Sequence, residues 1–177
     1  MEIVASSFPW FAITVKPRHE KIVTTALRNK GYTAFLPLYS GRHRHAGRTK
    51  TVDLPLFPGY LFCRFDPFCR LPILTIPGVF SIIAIGTRLV PVDEAEITAL
   101  QRVTKEGLYV AACVFPQTGD MVRIEEGPLR GVQGIFQRVQ QEDRLVLSVS
   151  LLQRAVSVVI DRAWISPAAT GREQLCA

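Results

Sequence analysis

The architecture of this chain is clearest in one segment, Pro55-Leu56-Phe57-Pro58-Gly59-Tyr60-Leu61-Phe62-Cys63-Arg64-Phe65. Proline fixes φ and glycine tolerates positive φ, so Pro58-Gly59 predicts a turn or a bulge. The residues after it alternate as in a β-strand, with Tyr60 and Phe62 on one face and Leu61 on the other. Both faces are therefore apolar. Either the sheet is covered on both sides, or one face presents its aromatic rings to a partner.

The segments around this strand predict an α+β domain. In order, the patterns favour a strand over 9–16, a helix over 17–30, a strand over 32–36, the strand after Pro58, a short helix over 66–74, a strand over 79–85 and a last helix after Asp93. Asp93 is a plausible N-cap, and Glu96 follows it at capping-box spacing. This order predicts an antiparallel sheet with flanking helices, in a βαββαβ-like arrangement over residues 1–106.

From residue 119 the pattern changes to short strands separated by tight turns. We predict strands over 121–125, 132–139, 145–150, 155–160 and 164–166, which fit a small five-stranded SH3-like barrel over 119–167. The intervening segment 107–118 occupies the place of a linker but is apolar, so we expect it to pack on a domain. The tail 168–177 is expected to be loosely ordered.

The charge of the chain is concentrated in its first half. Residues 1–106 hold 14 basic and 8 acidic residues, whereas residues 107–177 hold 7 of each. Such asymmetry predicts a polyanionic partner for the first domain and a different partner for the second. The sequence has no long apolar run and no basic, signal-like N-terminus, so we expect a cytoplasmic protein with no membrane partner.

Catalytic and metal-binding motifs are not apparent in the sequence. The four cysteines lack zinc-site spacing, and Cys63 and Cys113 are expected to be reduced residues of the core. His43 lies between two arginines and His45 follows the second, which disfavours a metal site. We therefore expect a binding protein with no cofactor and no enzymatic activity.

Three motifs resemble the NusG family of transcription elongation factors. They are the tryptophan-led segment 10–21, the Pro-Gly-Tyr strand described above and Pro77-Gly78-Val79, all in the family's order. A further segment, 119–134, resembles the KOW motif of that family. The resemblance implies an N-terminal NGN domain followed by a KOW β-barrel. One specialised member folds its second domain as a helical hairpin, but the valine-rich segments here favour strands.

The resemblance also implies partners. In this family the outward face of the Pro-Gly-Tyr strand forms a hydrophobic depression that receives the clamp helices of the largest subunit of bacterial RNA polymerase. The positions that match are Pro58, Tyr60 and Phe62, together with Ile97 and Leu100 on the last helix. We expect this depression to be vacant in the isolated molecule.

Two further binding surfaces are implied. The family places a basic hairpin beside upstream or non-template DNA, and the candidate phosphate contacts here are Lys16, Arg18, Lys21, Arg42, Arg44, Arg48 and Lys50. A bare charge run can equally be a solvated loop. In the barrel, Leu152 and Arg154 match positions that engage the termination factor Rho or a small-subunit ribosomal protein. Gln153 stands between them where glycine is commoner, and an ordinary strand-connecting loop is the alternative.

The expected function is to bind polymerase, modulate pausing, termination or antitermination, and recruit a partner through the barrel. The sequence does not set the direction of the effect. An alternative is an RNA-binding or ribosome-associated module whose sheet aromatics stack on bases without polymerase. A nucleic-acid enzyme is a second rival, which would show turnover or metal dependence.

Overall fold

The computed structural model of the chain describes residues 8–45, 48–106, 110–113, 119–139 and 142–168. The first domain contains, in order, β1 (Trp10–Val15), α1 (Glu20–Asn29), β2 (Thr33–Phe35), β3 (Leu38–His45), β4 (Arg48–Pro55), β5 (Tyr60–Arg64), α2 (Leu71–Leu74), β6 (Val79–Ile82), β7 (Ala84–Ile85), β8 (Arg88–Leu89), β9 (Pro91–Val92) and α3 (Glu94–Lys105). The predicted α+β order is confirmed.

The central sheet of this domain is antiparallel, with strand order β2-β5-β1-β6, and β9 pairs with the end of β1. The Pro-Gly-Tyr strand is thus an inner strand, which explains why both of its faces are apolar. Hairpin β3–β4 forms a separate two-stranded ribbon. The hairpin β7–β8 is a second, smaller ribbon between β6 and α3.

Helices cover both faces of the sheet. On one face, Leu61, Cys63 and Phe65 pack with Val23 and Leu27 of α1 in one apolar cluster. Cys63 is fully buried, and burial raises the pKa of its thiol to about 12, so the prediction of a reduced core cysteine is confirmed for this residue. The side chain of Cys113 lies outside the described residues.

On the opposite face, α3 packs against the sheet. Trp10, Ala12 and Phe62 join Ile97 and Leu100 in a second apolar cluster. The register explains this grouping, because Ala12 lies opposite Phe62 and Trp10 lies opposite Arg64 on the neighbouring strand. The two faces predicted from the alternation of β5 therefore occur as two separate cores.

The second domain, which we call the β-domain, contains the strands β10 (Val110–Cys113), β11 (Asp120–Ile124), β12 (Gln133–Val139), β13 (Glu142–Val149), β14 (Arg154–Val159) and β15 (Ile165–Pro167). Its described strands pair in the order β10-β14-β13-β12-β11-β15. Gly134 permits the close approach of β12 to β13, since a Cβ there would lie 2.7 Å from the Val146 carbonyl oxygen.

The described part of the β-domain has six strands where five were predicted. The additional strand, β10, comes from the segment 107–118, and its backbone pairs with β14 from Val110↔Val158 to Cys113↔Ala155. A short run of small and β-branched residues can complete a sheet edge as readily as it can link two domains. The rest of that segment and the predicted tail from residue 169 lie outside the described residues.

Candidate protein-docking site

The Pro58-Gly59 turn is tied to the two elements that flank it. Gly59 has φ of 82°, a left-handed conformation that favours glycine. Its N–H donates a hydrogen bond of 2.9 Å to Oε1 of Glu20 at the start of α1. Its carbonyl oxygen accepts a hydrogen bond of 2.9 Å from the N–H of Val15. The turn is therefore fixed against both α1 and β1 before Tyr60 begins the strand.

Glu20 is a positioning residue that the sequence reasoning missed. Among the described residues it is the only charged one that is buried, at 5% exposure. An acidic residue in the first turn of a helix is usually explained by the helix dipole, so its sequence position gave no sign of a long-range contact. The spacing of 39 residues between Glu20 and Gly59 can be bridged only in the folded domain.

We expect Glu20→Ala to lower the free energy of unfolding by about 1–3 kcal/mol, because the Gly59 N–H would lose its partner at a partly buried position. Glu20→Gln keeps an acceptor oxygen and should lose less. Urea denaturation of the three proteins measures the difference. Glu106→Ala, at the exposed end of α3, is the matched control. Equal stability of Glu20→Ala and Glu106→Ala would contradict this role.

A row of hydroxyl-bearing residues crosses the sheet at the start of β5. Tyr60 lies opposite Thr14, and Thr14 lies opposite Ser81 on β6. The hydroxyl oxygens of Thr14 and Ser81 are 2.7 Å apart and share a hydrogen bond. Tyr60 and Thr14 are half-buried, whereas Ser81 and the neighbouring Pro58 are exposed. We call Pro58, Tyr60, Thr14 and Ser81 the docking row.

The other predicted docking residues are buried. Phe62, Ile97 and Leu100 each have 0% exposure, and the Phe62 ring lies 6.2 Å from the rings of both Phe35 and Phe57. The expectation of a vacant depression along this whole face is therefore wrong for this structure. The physical reason is that the apolar stripe of α3, which carries Ile97 and Leu100, packs with Phe62 in one buried cluster. Of the predicted docking residues, Pro58 and Tyr60 remain accessible.

The β-domain packs on the outer side of α3. The apolar cluster that contains Phe62 and Leu100 continues through α3 into the β-domain, where it includes Leu145, Leu147 and Val149. Arg102 on α3 donates a hydrogen bond of 2.8 Å to the carbonyl oxygen of Arg130. A cleft of about 900 Å³ lies between α3 and strands β12 and β13. The two domains thus form a continuous packed unit in this structure.

Glu96 links the two domains. Its Oε1 accepts hydrogen bonds from the N–H of Ser150, at 3.0 Å, and from the Ser150 hydroxyl, at 2.7 Å. The N-cap contact of α3 is made instead by Asp93, whose Oδ1 accepts from the Ala95 N–H at 2.7 Å. The capping-box prediction is therefore correct for Asp93 and wrong for Glu96, because the Glu96 carboxylate is committed to the β-domain.

We expect Glu96→Ala to weaken the contact between the domains by about 1–3 kcal/mol, since two hydrogen bonds to one carboxylate are lost. Small-angle scattering of the variant should show a larger radius of gyration than that of the wild type. Glu94→Ala is the control, because Glu94 pairs with Arg64 within the first domain. Identical scattering curves for Glu96→Ala and wild type would contradict the role of Glu96.

The predicted partner-binding turn of the β-domain adjoins this contact. It is a 3-10 turn over Ser150–Leu152 that ends at Gln153, with Leu152 half-buried against the shared apolar cluster and Arg154 exposed. Gln153 has φ of 51° and ψ of 39°, a left-handed conformation in which glycine is unstrained. Its side-chain amide donates a hydrogen bond of 2.9 Å to the Ser150 carbonyl oxygen, which offsets part of the strain.

The predicted nucleic-acid residues fall into two groups. Lys16, Arg18 and Lys21 are exposed around the junction of β1 and α1, and Lys16 comes two residues after Thr14, just beyond the end of β1. The other four, Arg42, Arg44, Arg48 and Lys50, belong by their backbone to hairpin β3–β4, and their side chains lie outside the described residues. The first group is therefore exposed and close in sequence to Thr14 of the docking row.

No group of three or more histidine, cysteine or acidic side chains in the described ranges could hold a metal ion. No helix in the described part of the chain is long and apolar enough to cross a membrane.

Comparison with known proteins identifies the family. The family model described as "Transcription termination factor nusG" matches residues 8–101, more than half of the chain. The chain belongs to the NusG family. The matched range contains the docking row, Glu20 and the helix α3 up to Gln101.

Relatives and a solved structure agree with this assignment. The transcription termination/antitermination protein NusG of Escherichia coli K12 is 29% identical over 129 residues, which cover 69% of this chain and 70% of that protein. NusG of Helicobacter pylori J99 is 28% identical over 116 residues, or 64% of this chain and 66% of that protein. The structure titled "Domain interaction in Thermotoga maritima NusG" has a TM-score of 0.55 at 20% identity and covers 92% of this chain and 98% of its own, which supports the same fold.

Proposed function

We propose that this NusG-family member is a transcription elongation factor that binds the clamp helices of the largest subunit of bacterial RNA polymerase through the docking row. The observation that carries the proposal is the position of Tyr60. Its ring packs against the buried aromatic cluster and is still partly accessible, at the point where the family's docking motif begins. A half-buried tyrosine has the rigid, amphipathic character of a binding hot spot.

The mode of recognition would be a helix docked in a groove. The partner's helices would lie beside α3, along the end of the sheet where β5 begins. Tyr60 would be the apolar anchor, and the hydroxyls of Thr14 and Ser81 would make polar contacts. Phe62, Ile97 and Leu100 then act from beneath, by holding Tyr60 and α3 in place. Preferential binding to the closed clamp would disfavour paused states of the polymerase.

The exposed cations give the proposal a second contact. Lys16, Arg18 and Lys21 are exposed between β1 and α1, and in a factor seated on polymerase they would contact nearby upstream or non-template DNA. Phosphate contacts of this kind should make the affinity salt-dependent, with a log-log slope of about −0.9 for each phosphate. The proposed activity is binding alone and requires no catalysis.

The β-domain would recruit a second partner, either Rho or a small-subunit ribosomal protein, through Leu152 and Arg154. Leu152 is already half-buried against the apolar cluster that both domains share. A partner that contacts Leu152 would therefore compete with part of the contact between the domains. This arrangement would couple partner recruitment to the release of α3 from the β-domain.

Biolayer interferometry with immobilised core RNA polymerase tests the proposal. We expect the full chain to bind, and an isolated coiled-coil fragment of the clamp helices to compete for the same site. The RNA-module alternative makes the opposite forecast, namely tight RNA binding with no affinity for polymerase. Failure to bind core polymerase at low salt, or binding that the clamp-helix fragment does not reduce, would overturn the proposal.

A further inference from the structure

A second open pocket lies at the other end of the first domain. Its volume is about 600 Å³, and Phe11, Leu89 and Pro91 line it together with Phe68, Arg70 and Arg88. Phe11 belongs to the apolar cluster on the α1 face of the sheet, whereas the docking row and the β-domain lie on the α3 side. The pocket is thus separate from both surfaces described above.

One residue that lines this pocket, Phe68, has an aromatic side chain exposed to solvent. Asp66 accepts a hydrogen bond of 2.9 Å from the Phe68 N–H through Oδ1, and its carbonyl oxygen accepts one of 2.9 Å from the Cys69 N–H. This turn follows β5 directly and leaves Phe68 94% exposed. Because the Asp66 carboxylate fixes this turn through a hydrogen bond, the backbone holds Phe68 in a defined position on the surface.

Two positively charged side chains line the same pocket, and no acidic residue lines it with them. Arg70 follows the Asp66 turn and Arg88 lies in the hairpin β7–β8, and both are exposed. Neither guanidinium has a hydrogen-bond or ion-pair partner in the part of the chain that the structure describes. The acidic side chain nearest in sequence, Asp66, is engaged by its own turn. The pocket therefore offers positive charge to a ligand and has no lining acid to neutralise it.

We infer that this pocket binds single-stranded nucleic acid, with one base stacked on Phe68 and the adjacent phosphates held by Arg70 and Arg88. An exposed aromatic ring accepts any base, and guanidinium groups contact the backbone without regard to sequence. The volume falls in the range of small-ligand sites, so one unpaired nucleotide can enter while a duplex cannot. The inference does not depend on polymerase binding, because the docking row belongs to a different face.

Fluorescence anisotropy of the full chain with labelled dT12 and rU12 tests this inference and separates DNA from RNA as the source of the strand. We expect Phe68→Ala to weaken binding of at least one of the two by about tenfold, the loss of one stacked base. Arg70→Gln combined with Arg88→Gln should make the log-log salt slope shallower by about 0.7 for each lost phosphate contact. Affinity for a DNA duplex should be unchanged in Phe68→Ala.

Two control variants accompany this test. Leu71→Ala removes a neighbouring exposed apolar side chain that does not line the pocket, and Arg123→Gln removes an exposed arginine of the β-domain. Both should bind the single strands as the wild type does. Unchanged affinity of Phe68→Ala for both strands would overturn the inference. Loss of polymerase binding alone in that variant would also overturn it, since the pocket would then be a protein contact.

Discussion

Phe62→Ala is expected to lower the free energy of unfolding of the first domain by about 3–5 kcal/mol, the usual cost of truncating a large buried aromatic side chain. Phe62 has no exposed surface, and it lies at the centre of the cluster formed by the sheet, α3 and the rings of Phe35 and Phe57. Removing the ring leaves a cavity beneath α3 that these neighbours can fill only in part. Urea denaturation followed by intrinsic fluorescence measures the loss.

The matched control is Phe68→Ala. The same chemical change at a position with 94% exposure should alter the free energy of unfolding by about 0.5 kcal/mol or less. Equal effects of the two substitutions would show that Phe62 is not in the core. Because Phe62→Ala is expected to damage the fold, lost polymerase binding in this variant would say little about direct contact.

The alternation of β5 predicted two apolar faces correctly, but it could not say what covers each of them. A sequence pattern gives the direction of a side chain from its own strand, and the covering element is set by packing. Here α3 carries Ile97 and Leu100 at helical spacing, which fits a groove wall and a buried stripe equally well. The structure decides between these two readings, because both residues are fully buried.

The sequence also did not predict which side chains make long-range contacts. Glu20 and Glu96 both occupy first-turn helix positions, where local rules account for an acidic residue without any tertiary contact. Their actual partners, Gly59 and Ser150, are distant in sequence. The same limit applies to β10, whose pairing with β14 depends on residues more than forty positions away. The local elements were predictable from the sequence, whereas the contacts between them were not.

Tyr60→Ala is expected to weaken binding to core RNA polymerase by about 30-fold or more, as for a hot-spot tyrosine worth about 2 kcal/mol. Tyr60 is half-buried and contributes its accessible edge to the docking row, so the fold should tolerate the change far better than it tolerates Phe62→Ala. Tyr60→Phe keeps the ring and should retain most of the affinity, because the apolar contact area is preserved. Interferometry gives the dissociation constants, and urea denaturation of each variant checks its fold.

Tyr39→Ala separates docking from general damage to the aromatic cluster. Tyr39 is also half-buried against that cluster, but it lies on β3 outside the docking row. Its loss should therefore cost similar stability and leave polymerase affinity within about threefold of the wild type, as expected for a residue outside the hot spot. If Tyr60→Ala is folded and binds polymerase as tightly as Tyr39→Ala does, the docking row is not the polymerase-binding face. A selective loss in Tyr60→Ala, restored in Tyr60→Phe, would require the ring itself to lie in the interface.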